Sequence, residues 1–100
     1  MSSPTDLSQA IVLFLGFDGS PLPQRDAARL QEEFGRVTGA GLAREAEALV
    51  KEMMRITVNW DNVTFEAGVK AAEDQMRARH PELSDFAIGA LGWVYAYDLK

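Results

Sequence analysis

Phe86-Ala-Ile-Gly-Ala-Leu-Gly-Trp-Val-Tyr-Ala-Tyr-Asp-Leu-Lys100 are the last fifteen residues of the sequence, and their reading decides the fold. Wound as a helix they have no clean polar face. Phe86, Ala90, Trp93 and Tyr97 form one stripe, and Ile88, Leu91, Tyr95 and Leu99 form another on the opposite side. Gly89, Gly92 and Ala96 make a narrow row of small residues between them, which lets a neighbouring helix come close. A helix that is apolar all round has to be covered on most sides, by its own fold or by a partner. A terminal segment frays unless it is docked. The stretch is therefore expected in the core of the fold or at an interface.

Working outward, 100 residues make one domain, taken as 1–100, with enough chain to close a core without staples. Hydrophobic residues at 47% and charged residues at 25% match a globular chain and not a disordered one. No cysteine is present, which excludes disulfides, thiolate metal sites and a cysteine nucleophile and suits a reducing compartment. A net charge of -5 disfavours nucleic-acid phosphates as partners, because those demand a basic footprint. The apolar run Ala10-Ile-Val-Leu-Phe-Leu15 is too short to span a bilayer. Residues Met1 to Gln9 carry Asp6 and neither lysine nor arginine, unlike a secretion signal. A cytoplasmic location and no membrane contact are expected.

The spacing predicts an all-α bundle of about five helices. After a loose start at Ser2-Ser3-Pro4, a first helix capped by Thr5, Asp6 or Ser8 runs to about Phe17 through Leu7, Ala10, Ile11, Phe14 and Leu15. A buried strand over Ile11 to Phe17, turned by Asp18-Gly19, is the rival reading. Ser20 caps the second helix, with Pro21 in its first turn and Ala27, Leu30, Phe34 and Val37 as its apolar stripe. Gly35 weakens or ends it, and Thr38-Gly39-Ala40-Gly41 breaks the pattern. Leu42 to Ile56 is the clearest helix, supported by Glu47 and Lys51 four apart. Residues 56–65 read as a linker in preference to a hairpin. Asp61 or Asn62 then caps a helix through Phe65, Val69, Ala72 and Met76, supported by the pairs Glu66/Lys70 and Glu73/Arg77. His80-Pro81 ends it, since a residue before proline avoids helical geometry. Ser84 caps the last helix.

Side-chain chemistry is sparse. His80 is the one histidine and has no nucleophile or ordered acid beside it in sequence, so it reads as a capping residue at a helix end. Scattered carboxylates without a Glu-x-x-His motif do not make a di-iron site, and Asp18-Gly19-Ser20 and Asp61-Asn62 lack the later ligands of a calcium loop. Gly39-Ala40-Gly41 lacks the lysine of a phosphate loop and the third glycine of a dinucleotide fingerprint. No catalytic, cofactor-binding or metal-binding residue is assigned, and no enzyme activity is expected.

Aromatics carry the remaining signal. Trp60 lies in a connection next to Asp61, and Trp93, Tyr95 and Tyr97 fall within five residues. Tryptophan and tyrosine fill cores, and they are also enriched where proteins meet. These five residues are the candidate interaction site. The reading is a non-enzymatic interaction module, of the inhibitor, immunity or regulatory kind, with an acidic, aromatic-bearing helical surface. Its partner is another protein of basic character, or a second copy bound through the C-terminal helix. Two alternatives come from other classes. One is a small-molecule-binding or enzymatic bundle with a pocket lined by Phe14, Phe34, Met53, Phe65 and Trp93. The other is a helix-turn-helix DNA-binding regulator around Phe34 to Leu42, which the acids Glu45, Glu47 and Glu52 disfavour.

Overall fold

The computed structural model describes residues 4–17 and 19–99. Five helices follow one another: α1 Pro4–Leu15, α2 Ala27–Phe34, α3 Arg36–Met54, α4 Phe65–Arg79 and α5 Asp85–Leu99. Among the described residues there is no strand, and the rival strand over 11–17 is not formed. The expected bundle of about five helices is the observed architecture. The loose start at Ser2-Ser3 and the Asp18 half of the Asp-Gly turn lie outside the described residues. No helix of the described chain is long and apolar enough to cross a membrane.

α3 touches all four other helices, and α5 is the other main core element. α5 packs on α1, α3 and α4, and its Ala87, Ile88, Ala90, Leu91, Gly92, Val94 and Tyr95 are buried. Leu42, Ala46, Val50 and Met53 of α3, Ile11 and Leu15 of α1, and Ala72 and Met76 of α4 complete the same apolar core. The molecule measures 46 × 27 × 19 Å. A helix with its side chains is about 10–12 Å across, so the thin dimension holds roughly two helical layers. Two layers cannot wrap a helix that is apolar all round. One side of α5, carrying Phe86, Trp93 and Tyr97, is therefore left at or near the surface.

Several helix ends differ from the sequence reading. α1 closes on Gly16 at φ +76°, with the Gly16 and Phe17 N–H groups donating to the Leu13 and Val12 carbonyls, the paired bonds of a Schellman stop. Ser8 does not cap α1. It is buried inside that helix, and its hydroxyl accepts the Ser84 N–H at 2.9 Å, so it satisfies a backbone donor at the entry to α5. Ser84 caps α5 as expected, accepting from the Ala87 N–H at 3.1 Å. Ser20 does not start α2, because Leu22 precedes Pro23 and is held out of helical geometry. The chain stays irregular there, with the Gln24 and Asp26 N–H groups donating to the Leu15 and Phe14 carbonyls, and Asp26 is the N-cap. α4 is capped by Thr64, not by Asp61 or Asn62. Asn62 instead turns the loop at φ 64°, and the Asp61 N–H is taken by the Asn59 side chain.

The largest departure concerns residues 38–41, which were expected to break the helix. α3 runs straight through them from Arg36, and Val37 is exposed at its start instead of joining the α2 stripe. Gly35, at φ +90°, makes the turn between α2 and α3 by itself. Gly39 then lies against the Leu30 backbone, where a Cβ would collide with the Leu30 carbonyl. Close packing of α2 on α3 thus offsets the helix-propensity cost of glycine, which is about 1 kcal/mol per residue.

At the other end of α3, Glu52 ties the bundle to the end of α4. His80 Nε2 lies 2.9 Å from Glu52 Oε1, and Arg79 Nη1 lies 3.3 Å from Oε2. His80 Nδ1 faces Glu82 at 3.5 Å. Burial pushes the Glu52 carboxyl up, but the hydrogen bonds and charges of His80 and Arg79 outweigh it and hold the carboxyl below its ordinary range. A depressed acid stabilises the fold above its unfolded value, and that contribution is lost as pH falls through the folded value. In urea unfolding at a series of pH values, Glu52→Gln should therefore be less stable than wild type at pH 7. The gap should close on acidification past the ordinary carboxylate range. A gap that persists unchanged in acid would contradict this.

Candidate functional site

The structure separates the five sequence-picked aromatic and acidic positions. Tyr95 is 4% exposed and belongs to the core, where burial raises its phenol, so it offers no surface to a partner. Trp93 is half-buried on α5 and tilts against Phe17 of the α1 turn, ring centres 5.4 Å apart. Tyr97, partly exposed, lies near Pro23, Gln24 and Arg25. Trp60 and Asp61 sit in the loop between α3 and α4, away from this stripe. Trp93 and Tyr97 share one side of α5, and Trp60 and Asp61 share the loop between α3 and α4.

Trp60 does not stand alone. Its ring stacks on Phe65 in the first turn of α4, centroids 6.1 Å apart and planes at 26°. Gly68, one turn further along α4, is the second support: its missing side chain leaves the space that the indole occupies. Seated on these two residues, Trp60 is still 39% exposed, Phe65 41% and Leu99 of α5 45%. These three residues line one small hollow, and Val63 adds a further exposed apolar side chain in the loop. Large apolar side chains grouped at the surface, in place of single scattered ones, mark a binding region.

From Phe65 the hollow continues as a groove of about 280 Å³ between α4 and α5, lined by Glu66, Val69, Lys70, Glu73 and Ala96. Sequence reasoning named Phe65 only as a wall of the alternative ligand pocket and missed Glu73 as a site residue. Phe65 fits the helical stripe of Val69, Ala72 and Met76, and nothing in that period shows that the stripe is uncovered at its first turn. The carboxylate of Glu73 lies against Gly92 of α5, in the volume a Cβ would fill. The row of small residues on α5 was the one available signal, since it admits a close neighbour, but it does not say which.

Burial pushes the Glu73 carboxyl above its ordinary range, the positive charges of Arg77 and Lys70 pull it back, and Asp74 adds a small push upward. Lys70 and Arg77 are themselves drawn to Asp74, at 3.8 and 2.9 Å. A raised acid stabilises the fold below its unfolded value, and that contribution is lost as pH rises through the folded value. Glu73→Gln should therefore raise the thermal midpoint at pH 7 and lose that advantage below the ordinary carboxylate range. An unchanged midpoint at pH 7 would show that the carboxylate is fully hydrated.

A second surface lies across the molecule. α1 and the entry to α5 enclose a hollow of about 710 Å³ with Val12, Phe17 and Phe86 among its walls and Ser8, Gln9 and Glu82 at its polar edge. Phe86 is 74% exposed and stands at its rim. The five residues expected to line one ligand pocket do not converge. Phe14 faces a cleft beside α2 and α3, Phe34 is partly buried at the end of α2, Met53 is in the core, Phe65 lines the α4–α5 groove, and Trp93 rests on Phe17. Among the described residues no group of three or more His, Asp and Glu side chains is placed to hold a metal ion.

Comparison with protein-family models, with curated proteins and with solved structures gives no match for this chain.

Proposed function

We propose that this chain is a non-enzymatic protein-interaction module whose docking surface is the patch of Trp60, Val63, Phe65 and Leu99. The seating of an exposed tryptophan on Phe65 and Gly68 of α4 carries this reading. Binding energy concentrates in a few aromatic anchors, and an anchor held rigid before contact loses little side-chain entropy on binding. Asp61 and Glu66 flank the patch, so a basic partner is favoured in approach and in register. The kinds of protein that act this way are inhibitors, immunity-type binders and regulatory subunits.

A partner isolated from the native host provides the test. Trp60→Ala should weaken its binding at least about a hundredfold, the scale of an interface anchor. The fold should keep its helicity, because Trp60 lies outside the core. Raising the salt should slow association without abolishing it. Partner binding that ignores Trp60→Ala would place the docking surface elsewhere.

A second reading rests on Phe86. A protruding ring beside a hollow on one surface is self-complementary under a two-fold axis, each copy placing its ring in the other's hollow. In light scattering, wild type should then be dimeric and Phe86→Ser monomeric, both with intact helicity. A monomeric wild type at high concentration removes this reading and leaves the first untouched.

A further inference from the structure

The α4–α5 groove has different chemistry at its two ends. At one end lies the apolar shelf of Trp60 on Phe65. At the other lies Glu73, half-buried, with its carboxylate on the bare backbone of Gly92 and no hydrogen bond to it among the described residues. Its cationic neighbours act on it through space, while the ion pairs they form are with other acids. Lys70 reaches towards Asp74, and Arg77 bridges Asp74 and Asp85 at 2.9 and 3.4 Å. Between the two ends the walls are Phe65, Val69 and Ala96, with Glu66 and the mostly exposed Lys70 also lining the groove. A carboxylate at the end of an apolar groove suits a ligand with an aliphatic stem that ends in a cation. An anionic or purely apolar occupant would leave that carboxylate desolvated and without a hydrogen-bond partner.

We propose that this groove receives an arginine or lysine of a partner protein's helix, with its stem against Val69 and Ala96, its cation on Glu73, and an apolar side chain of the same helix on Trp60 and Phe65. The proposal rests on the interaction reading above and adds to it the partner's chemistry and spacing. Phe65 and Glu73 are eight residues apart on α4, roughly 12 Å along its axis at 1.5 Å per residue. Positions i and i+7 of a partner helix are separated by nearly the same rise. The partner motif is therefore an aromatic or large aliphatic residue with a cation two helical turns away. Charge complementarity selects the cation, and the groove length selects the interval.

The probe is a displayed library of single helical peptides with randomised surface positions, selected against four forms of the intact chain. These are wild type, Glu73→Gln, Glu33→Gln and Trp60→Ala. Glu33 is exposed on α2, remote from the groove, and its substitution matches the change in net charge. Wild type and Glu33→Gln should enrich a large apolar residue with arginine or lysine about seven positions away. Glu73→Gln should retain the apolar residue and lose the cation, and peptides selected on wild type should bind it about tenfold more weakly. Circular dichroism should show Glu73→Gln as helical as wild type, so a lost cation preference would not reflect unfolding. Trp60→Ala should lose both features. If Glu73→Gln enriches the cation as wild type does, or the cation appears at no fixed interval, the groove assignment is overturned while the Trp60 patch stands. If Trp60→Ala returns the wild-type motif, or wild type enriches no motif, both fall.

Discussion

Leu91→Ala should destabilise the protein by about 2–5 kcal/mol, the range for removing a fully buried leucine from a core that cannot collapse around the gap. Leu91 has no exposed surface and lies on the side of α5 that meets the rest of the fold. A domain of this length has a total stability on the order of 5–15 kcal/mol, so the loss is a large share of it. Each kcal/mol moves the melting midpoint by about 4–8 °C at this size, which makes the drop easy to read in a thermal scan. Phe86→Ala removes a larger side chain from the same helix, yet it should change stability by no more than about 0.5 kcal/mol, because the ring is mostly in water. Equal effects from the two substitutions would mean that α5 is turned differently about its axis.

The second large effect is a change of sign within one helix. Gly39→Ala should cost about 1–3 kcal/mol, and Gly41→Ala should gain up to about 1 kcal/mol. Both glycines lie inside α3, and both substitutions bring the same helix-propensity gain. At Gly41 a Cβ meets nothing, so the gain is kept. At Gly39 it meets the carbonyl and backbone of Leu30, which cannot swing aside as the end of a side chain can, so α2 has to move off α3. Urea midpoints at unchanged slope measure both values directly. A stabilising Gly39→Ala would show that α2 and α3 do not cross there.

The all-α class, the linker at 56–65 and the cap at Ser84 follow from local rules: apolar period, Asn and Asp turn chemistry, and a serine three residues before an amide in need of a partner. The same rules misplace features set by distant contacts. Gly39-Ala40-Gly41 has the composition of a break, and only the approach of α2 explains why the helix continues. Ser20 has the right side chain for a cap, but the two prolines after it prevent a helical start. In the site, Tyr95 and Tyr97 look alike in sequence. They point about 200° apart on α5, and a helix with no polar face gives no sign of which one is inside. Trp60 was legible as an aromatic in a connection. Phe65 and Glu73 were not legible as parts of this surface, because one depends on where α5 stops covering α4 and the other on Gly92 meeting α4.

Both the exposed stripe and the groove depend on how α5 is seated. Amide hydrogen exchange tests that seat most directly. Ile88 to Tyr95 should exchange among the slowest amides in the chain, near the rate of global unfolding, while the loop from Thr57 to Val63 exchanges quickly. Exchange across Ile88 to Tyr95 as fast as in that loop would show that α5 is not docked, and the surfaces built on it would not exist.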